Sequence, residues 1–344
     1  MKKNVKMADI AEQLHVSNVT VSKALANKEG VSEELRAKIK TLASEMGYHY
    51  NTSAKSLKDG LTYNIGVTVA ERFINPNRSF YWEMYQNILD ILKDYNYYGI
   101  IEIIKSDAEE KLILPSFVGN NKVDGLIVLG PLSTEYLHML SEQRMPMVLL
   151  DFYGEDIGLT TILSDNFYGA YLATNFLFRN GHTKIGFVGT LSATSSIQDR
   201  FLGYYKSLME HGVEKRADWI IDDRAKGDLF TEFLLPREMP TAFVCNCDEI
   251  AFSFINFLTE KGYSVPEDIS IVGFDNYIFA TLCKPQLTTI NVDMRRMANA
   301  AVTALFHKVK NPNHAPERLL VSGSLIRRDS VKNIKPNQRE IGNS

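Results

Sequence analysis

Along the first fifty residues the apolar positions recur with a helical period. In "VKMADIAEQLHVS", Met7, Ile10, Ala11 and Leu14 fall at i, i+3, i+4 and i+7, which predicts a first helix with one inward stripe. Residues 15–25, "HVSNVTVSKAL", are ambiguous at first sight, because Val19, Thr20 and Val21 favour strands. Yet Val21, Ala24 and Leu25 repeat at i, i+3 and i+4, and Ser17 stands where an N-cap accepts hydrogen bonds from free N–H groups. The segment therefore reads as a second helix whose other face carries Asn18, Val19, Ser22 and Lys23. A third helix is predicted after Ser32. Glu33 and Glu34 occupy its first turn, where the helix dipole favours negative charge; Leu35, Ile39, Leu42, Ala43 and Met46 line its inner face, and Gly47 ends it.

Two short helices around a tight turn, braced by a third, match a helix-turn-helix, whose second helix brings its first residues to base edges in the DNA major groove. Val19, off the inner stripe, suits a thymine methyl, Asn18 an adenine and Lys23 a guanine. On this stretch alone an unrelated three-helix cap stays open. Residues 51–60, "NTSAKSLKDG", are polar apart from Ala54 and Leu57 and read as a linker. Asn51 or Thr52 can cap a short helix carrying Lys55, Leu57 and Lys58, an apolar wedge between two cations of the kind that enters base steps from the minor groove. Leu57 packing on the body is the other reading.

From residue 61 the pattern changes to apolar strands alternating with amphipathic helices: "YNIGVTVA", a helix from Phe80 to about Tyr95, "GIIEIIKS", "GLIVLG" and "PMVLLD", then "KIGFVGT", "DWIIDD", "TAFVCN" and "ISIVGFD". Such alternation predicts parallel sheets covered by helices on both faces. About 270 residues exceed one comfortable core. The expected organisation is thus a head over 1–50, a hinge over 51–62, an α/β body of two subdomains over 63–330 and a tail over 331–344. Subdomain one takes about 63–163 and 293–320, and subdomain two about 164–290 and 321–330. Crossovers near Leu163–Asp165 and Thr289–Asp293 return the last helix, 294–309, to the first subdomain.

Ligands of open α/β sheets bind beyond the carboxyl ends of the strands. That rule singles out Asp151, Asp248 and Asp275, with Phe80 and Tyr81 opening the first helix of the body. Carboxylates accept paired hydroxyl hydrogen bonds and rings cover C–H faces, which suits a sugar; each Asp taken singly is equally an N-cap.

Composition narrows the classes. With 45% apolar and 23% charged residues the chain is an ordinary globular one. The net charge of -3 hides an asymmetry: residues 1–60 hold ten Lys/Arg against seven Asp/Glu, the remainder 28 against 34. A basic head on an acidic body points to a polyanion partner for the head. Cys245, Cys247 and Cys283 form no disulfide framework, "MKKNVKMADI" lacks the apolar core of a signal peptide, and no run of about 18 apolar residues exists. A cytoplasmic protein away from membranes is expected. Phosphate-loop, nucleophile-elbow and zinc-protease motifs are missing, and Cys245 and Cys247 alternate across a strand, so no enzyme, metal or cofactor is expected.

The order "MADIAEQLHVSNVTVSKALANKEGVSEELRAKIKTLASEMGY", "AKSLKDG", "NIGVTV", "VDGLIVLGP", "PMVLLDFY", "GHTKIGFVGT", "DRFLGYYKSL", "PTAFVCNCDEIA", "VPEDISIVGFDN" and "QLTTINVD" resembles the lactose/galactose-repressor family of bacterial transcription regulators over nearly the whole chain. The resemblance implies a periplasmic-binding-protein-like body and a homodimer on double-stranded operator DNA, probed through Ser17, Asn18, Val19, Thr20, Ser22 and Lys23. Thr20 and Ser22 fall near phosphates, and Leu57 is the minor-groove lever between Lys55 and Lys58. It also implies a small effector, a saccharide first and a purine-like or protein corepressor second, and raises Asp151, Arg200 and Asp275 to effector contacts, which join Phe80 and Asp248 from the strand-end rule and Cys247 beside them as the expected effector site. Two departures stand out: Tyr50 where the family often has proline, and Cys247 where it has asparagine. A binding protein or sugar enzyme on the same body would leave the head unexplained.

Overall fold

The structure, a computed structural model, describes residues 5–25, 28–48, 56, 59–74, 80–154, 157–225, 228–229 and 233–335. They belong to two compact units, Met1–Thr62 and Tyr63–Ser344.

The first unit holds α1 (Met7–Gln13), α2 (Asn18–Leu25) and α3 (Glu33–Glu45). Ile10, Val21, Ala24 and Ile39 are fully buried at its centre. Burying Val21 contributes about 1.5–3 kcal/mol, several times the few tenths a β-branched residue costs in a helix, so packing overrides strand preference. Ser17 caps α2 as its position predicts, its Oγ accepting the Thr20 N–H at 3.0 Å. Gly47, at φ +68°, closes α3. Buried Arg36 ties the turn between α2 and α3: Nη2 donates to the Lys28 carbonyl at 2.9 Å, the Ala24 and Val31 carbonyls lie 3.4 Å from Nη1 and Nη2, and Nε meets Glu33 at 3.1 Å. Arg36→Ala leaves these carbonyls without their donor. The expected result is a head destabilised by about 2 kcal/mol, read as an earlier head transition in calorimetry while the transition of the body stays in place.

In the body, β1 (Asn64–Ala70), β2 (Tyr98–Ile104), β3 (Gly125–Leu129), β4 (Met147–Leu150), β5 (Thr160–Ser164) and a late strand, β13 (Arg318–Val321), form one sheet in the order β13-β5-β4-β3-β1-β2, parallel throughout. The second sheet runs β14-β12-β11-β10-β6-β7. Its strands are β6 (Ile185–Val188), β7 (Ile220–Ile221), β10 (Ala242–Cys245), β11 (Ser270–Asp275), β12 (Thr288–Asn291) and β14 (Ser324–Ile326), with only β14 antiparallel. A hairpin, β8 (Arg224–Ala225) with β9 (Asp228–Leu229), stands apart. β3, β4, β5, β6 and β10 are buried at every residue, as parallel strands covered on both faces must be. The helices of eight residues or more are α4 (Phe80–Asp94), α5 (Thr134–Ser141), α6 (Asn166–Arg179), α7 (Ser195–Glu210), α8 (Asp248–Glu260) and α9 (Met294–Lys310).

The chain crosses between the two lobes three times, after β5, β12 and β13. Asp165 and Asp293 stand at the first two crossings with nearly equal backbone angles, φ -74° ψ 73° and φ -78° ψ 79°. Each ends a strand's run and caps the helix that follows, accepting the N–H of Tyr168 at 3.1 Å and of Arg296 at 2.9 Å. At the third, a Cβ on Gly323 would stand 2.6 Å from the Asn291 carbonyl, so only glycine lets the crossing strands run this close. α9 returns to the first lobe and packs on α4 and β3–β5. One boundary shifts from the sequence reading. Residues 331–335 still belong to the second lobe, where Lys332 N donates to Ser270 Oγ at 3.0 Å and Ile334 N to the Asn180 carbonyl at 2.9 Å.

Candidate binding cleft and nucleic-acid interface

In the second lobe α6 and α7 touch so closely that a Cβ on Gly203 would lie 2.0 Å from the Phe167 carbonyl oxygen. That approach brings Arg200, one turn earlier on α7, to Asn166 at the start of α6, where its Nε donates to Oδ1 at 2.8 Å. Nη1 donates to the Asn246 carbonyl at 2.5 Å, Nη2 meets Asp275 at 3.3 Å, and the guanidinium lies 3.9 Å above the Phe274 ring. The buried cation is therefore held from four sides.

Asp151 faces it from the end of β4 in the first lobe. Its Oδ2 accepts the Tyr81 hydroxyl at 3.0 Å, and its Oδ1 is buried with no partner among the described residues. Both strand-end aspartates leave the strand in left-handed conformations, φ +70° at Asp151 and +108° at Asp275. Such backbones cost on the order of 1–3 kcal/mol and collect at functional sites.

The electrostatics follow from burial. It pushes Asp151 up to about 6, against the attraction of Arg200 and the Tyr81 hydrogen bond. It pushes Asp275 up to about 7, opposed by Arg200 and reinforced by Asp151 and Glu249. Burial and then Asp151 raise the Tyr81 phenol well above its ordinary value. An acid raised on folding binds more protons folded than unfolded, so its ionisation removes stability as pH climbs from about 4 to the folded value. Asp275→Asn removes that titration. Wild type is thus expected to lose stability relative to Asp275→Asn between pH 4 and about 7 and hold level above, measured by denaturant unfolding across pH.

The remaining candidates take distinct places. Phe80 packs against Tyr81 at 5.5 Å and reaches Tyr277 of the second lobe at 6.5 Å between ring centroids. Cys247 sits at the N-cap of α8, its thiol raised by burial and by Asp275. Asp248 is placed differently from the sequence expectation. It is fully buried, Oδ1 accepting the Thr289 hydroxyl at 2.5 Å and Oδ2 the Tyr277 N–H at 2.8 Å, so it supports the loop behind Asp275. Sequence reasoning missed Asn166 and Asn246, which orient Arg200, and a meeting of the lobes at which Arg318 lies 4.6 Å over the Tyr153 ring and lowers the pKa of Asp199, which burial raises. The "SDN" at the first crossing was the available signal for Asn166.

On the head, Ser17, Asn18, Val19 and Lys23 are exposed, Val19 at 63%, while Thr20 and Ser22 are half-buried. Val19, two residues before buried Val21, thus lies on the outward face of α2. Lys55, Leu57 and Lys58 lie outside the described residues; Gly60 N donates to the Ser56 carbonyl at 2.9 Å.

A helix-turn-helix unit joined to a two-lobed body with a polar cleft defines a DNA-binding regulator that senses a small molecule. Residues 6–51 match the bacterial regulatory proteins of the lacI family, and 174–331 a periplasmic binding protein-like domain. The chain is 30% identical over 337 residues to the HTH-type transcriptional repressor PurR of Photobacterium profundum, covering 95% of this chain and 98% of that protein. It is 29% identical over 333 residues to the ribose operon repressor of Haemophilus influenzae, with 96% and 99% covered. In fold it is similar to the lac repressor dimer bound to operator and the anti-inducer ONPF, with a TM-score of 0.69 at 23% identity over 96% of this chain and all of that one. The chain belongs to the lacI family of bacterial regulatory proteins and is a transcriptional repressor with an effector-binding body. Among the described residues no helix is long and apolar enough to cross a membrane.

Proposed function

We propose that this repressor works in the cytoplasm as a homodimer whose grip on operator DNA is set by a saccharide bound between the lobes of its body, and that it acts by binding rather than catalysis. The observation that carries the effector reading is the meeting of Asp151 and Asp275, from different lobes, around one buried arginine. A ligand that donates hydroxyls to both carboxylates holds the lobes together, and such closure is a switch because a ligand shifts populations by its differential affinity for them. The ribose operon repressor among the relatives supports a sugar. Support for the dimer comes from edge strand β2, where Tyr98 is 64% exposed and Ile100 and Ile103 are also bare, an apolar edge that a lone subunit would leave open to aggregation. One helix in one groove also gives little contact, and paired half-sites double it. Phe80 and Tyr277 at the cleft favour a second reading, a purine-like base stacked on a ring. Calorimetry of the full-length protein with mono- and oligosaccharides, and with purines alongside, tests both. Binding of a saccharide is expected; binding confined to purines overturns the saccharide assignment.

A further inference from the structure

We infer that Tyr81 is a positioning residue for effector capture: its phenol, resting on Gly130, holds Asp151 ionised and turned to receive the effector. The inference rests on the reading that Asp151 accepts hydroxyls of a small molecule, and it concerns what readies that carboxylate.

The order of the strands sets the problem. Tyr81 is the second residue of α4, which follows β1, and Asp151 follows β4; between those two strands runs β3. The tyrosine must therefore reach across the end of β3 to touch the aspartate. It does so over Gly130, the residue just past that end. A Cβ there would lie 2.8 Å from Cζ of Tyr81 and 3.0 Å from its hydroxyl oxygen, and the φ of +74° also calls for glycine. Gly130 N donates to the Leu150 carbonyl at 2.9 Å, which fixes this seat against the residue before Asp151. Phe73 and Phe80 meet the phenol ring edge-on, with centroids 5.7 and 5.5 Å away. The hydroxyl so placed donates to Asp151 Oδ2 at 3.0 Å.

That bond bears on the charge of Asp151. Burial raises the carboxyl to about 6, while Arg200 and Tyr81 hold it down; a buried carboxylate with fewer partners takes up a proton instead. The ionised form is acceptor-only and receives paired hydroxyls, whereas the protonated form gives up an acceptor place. Tyr81 itself stays a donor, since burial and then Asp151 raise its phenol well above its ordinary value. The charged and titratable groups facing the pair are Arg200 from α7 and Asp275 from the end of β11, with Cys247 and Glu249 at the start of α8 beside Asp275 in turn. Tyr81→Phe keeps all of these and removes one hydroxyl.

The test has two arms, and the first needs no ligand. An acid raised on folding costs stability until pH passes its folded value, and without the phenol that value is expected to rise by about one pH unit. Denaturant unfolding of the full chain should then show Tyr81→Phe falling further below wild type as pH climbs from about 6 to about 7, with a level gap above about 8. A gap that stays constant across this range overturns the inference. The second arm is calorimetry of the full-length protein with ribose, glucose and adenosine between pH 5.5 and 8.5. For each probe that wild type binds, Tyr81→Phe is expected to bind up to about tenfold more weakly at the acid end, the loss shrinking as pH rises, with operator binding retained. The same loss at every pH would place Tyr81 against the effector itself, and no loss would leave it as packing alone; either overturns the inference. Binding of none of the three counts against the effector reading, and the unfolding arm still decides for or against Tyr81.

Discussion

Replacing Asp275 by alanine is expected to abolish the response to effector and leave operator binding intact. The carboxylate is one half of a pair with buried Arg200, 3.3 Å away, and in the proposed complex it accepts hydroxyls of the effector; hydrogen bonds to a charged group are worth about 1.5–3 kcal/mol each, so losing two of them lowers effector affinity on the order of 10²–10⁴-fold. Asp275 belongs to the body unit and the reading helix to the other, so the loss is confined to one function. Its φ of +108° disfavours alanine for a second reason. Asp275→Gly, which that backbone accepts, separates the two causes. Both variants are expected to lose the response, measured as effector binding by calorimetry and operator binding by fluorescence anisotropy. A response that returned in Asp275→Gly would assign the defect to the backbone.

Asn18→Ala combined with Lys23→Ala is expected to remove most of the discrimination between operator and unrelated DNA. A good bidentate side-chain–base pair is worth about 1–3 kcal/mol against the wrong base, so the double variant should lose on the order of 10²–10⁴-fold in the ratio of specific to non-specific affinity. Neither side chain packs in the core of the head; both stand on the exposed face of α2, so stability should be nearly unchanged. Anisotropy with operator selected from a random pool, and with a scrambled duplex, reads the ratio. A uniform loss on both duplexes, accompanied by a shallower salt dependence, would reassign the two residues to phosphate contact.

The parts of this architecture written in local spacing were legible before any coordinates. Ser17 caps α2 because a cap is a matter of three residues, and the Val21, Ala24, Leu25 stripe outweighs the strand preference of its neighbours because burial is the larger energy. The strand-end rule led to Asp151 and Asp275 because the end of a buried apolar run is visible in sequence. The same rule fails at Asp248, since nothing in a one-dimensional pattern tells which way a carboxylate turns; Thr289 and the Tyr277 N–H, 41 and 29 residues on, draw it inward. Asn166 and Asn246 were hidden for a related reason. They act on Arg200, and the α6–α7 approach at Gly203 that brings one of them there is a property of two packed helices. The meeting of Tyr153, Asp199 and Arg318 joins three segments from both lobes, which only the folded body brings together.

At the centre lies the proposal that a small molecule held between Asp151, Arg200 and Asp275 governs the hold of the head on DNA. It is tested most directly by titrating the best-binding saccharide into full-length protein on selected operator, for wild type and Asp275→Ala in parallel. The predicted result is a saturable change in operator affinity for wild type, with a midpoint matching the calorimetric affinity, and a flat line for Asp275→Ala at the effector-free affinity of wild type. Equal responses in the two proteins would contradict it.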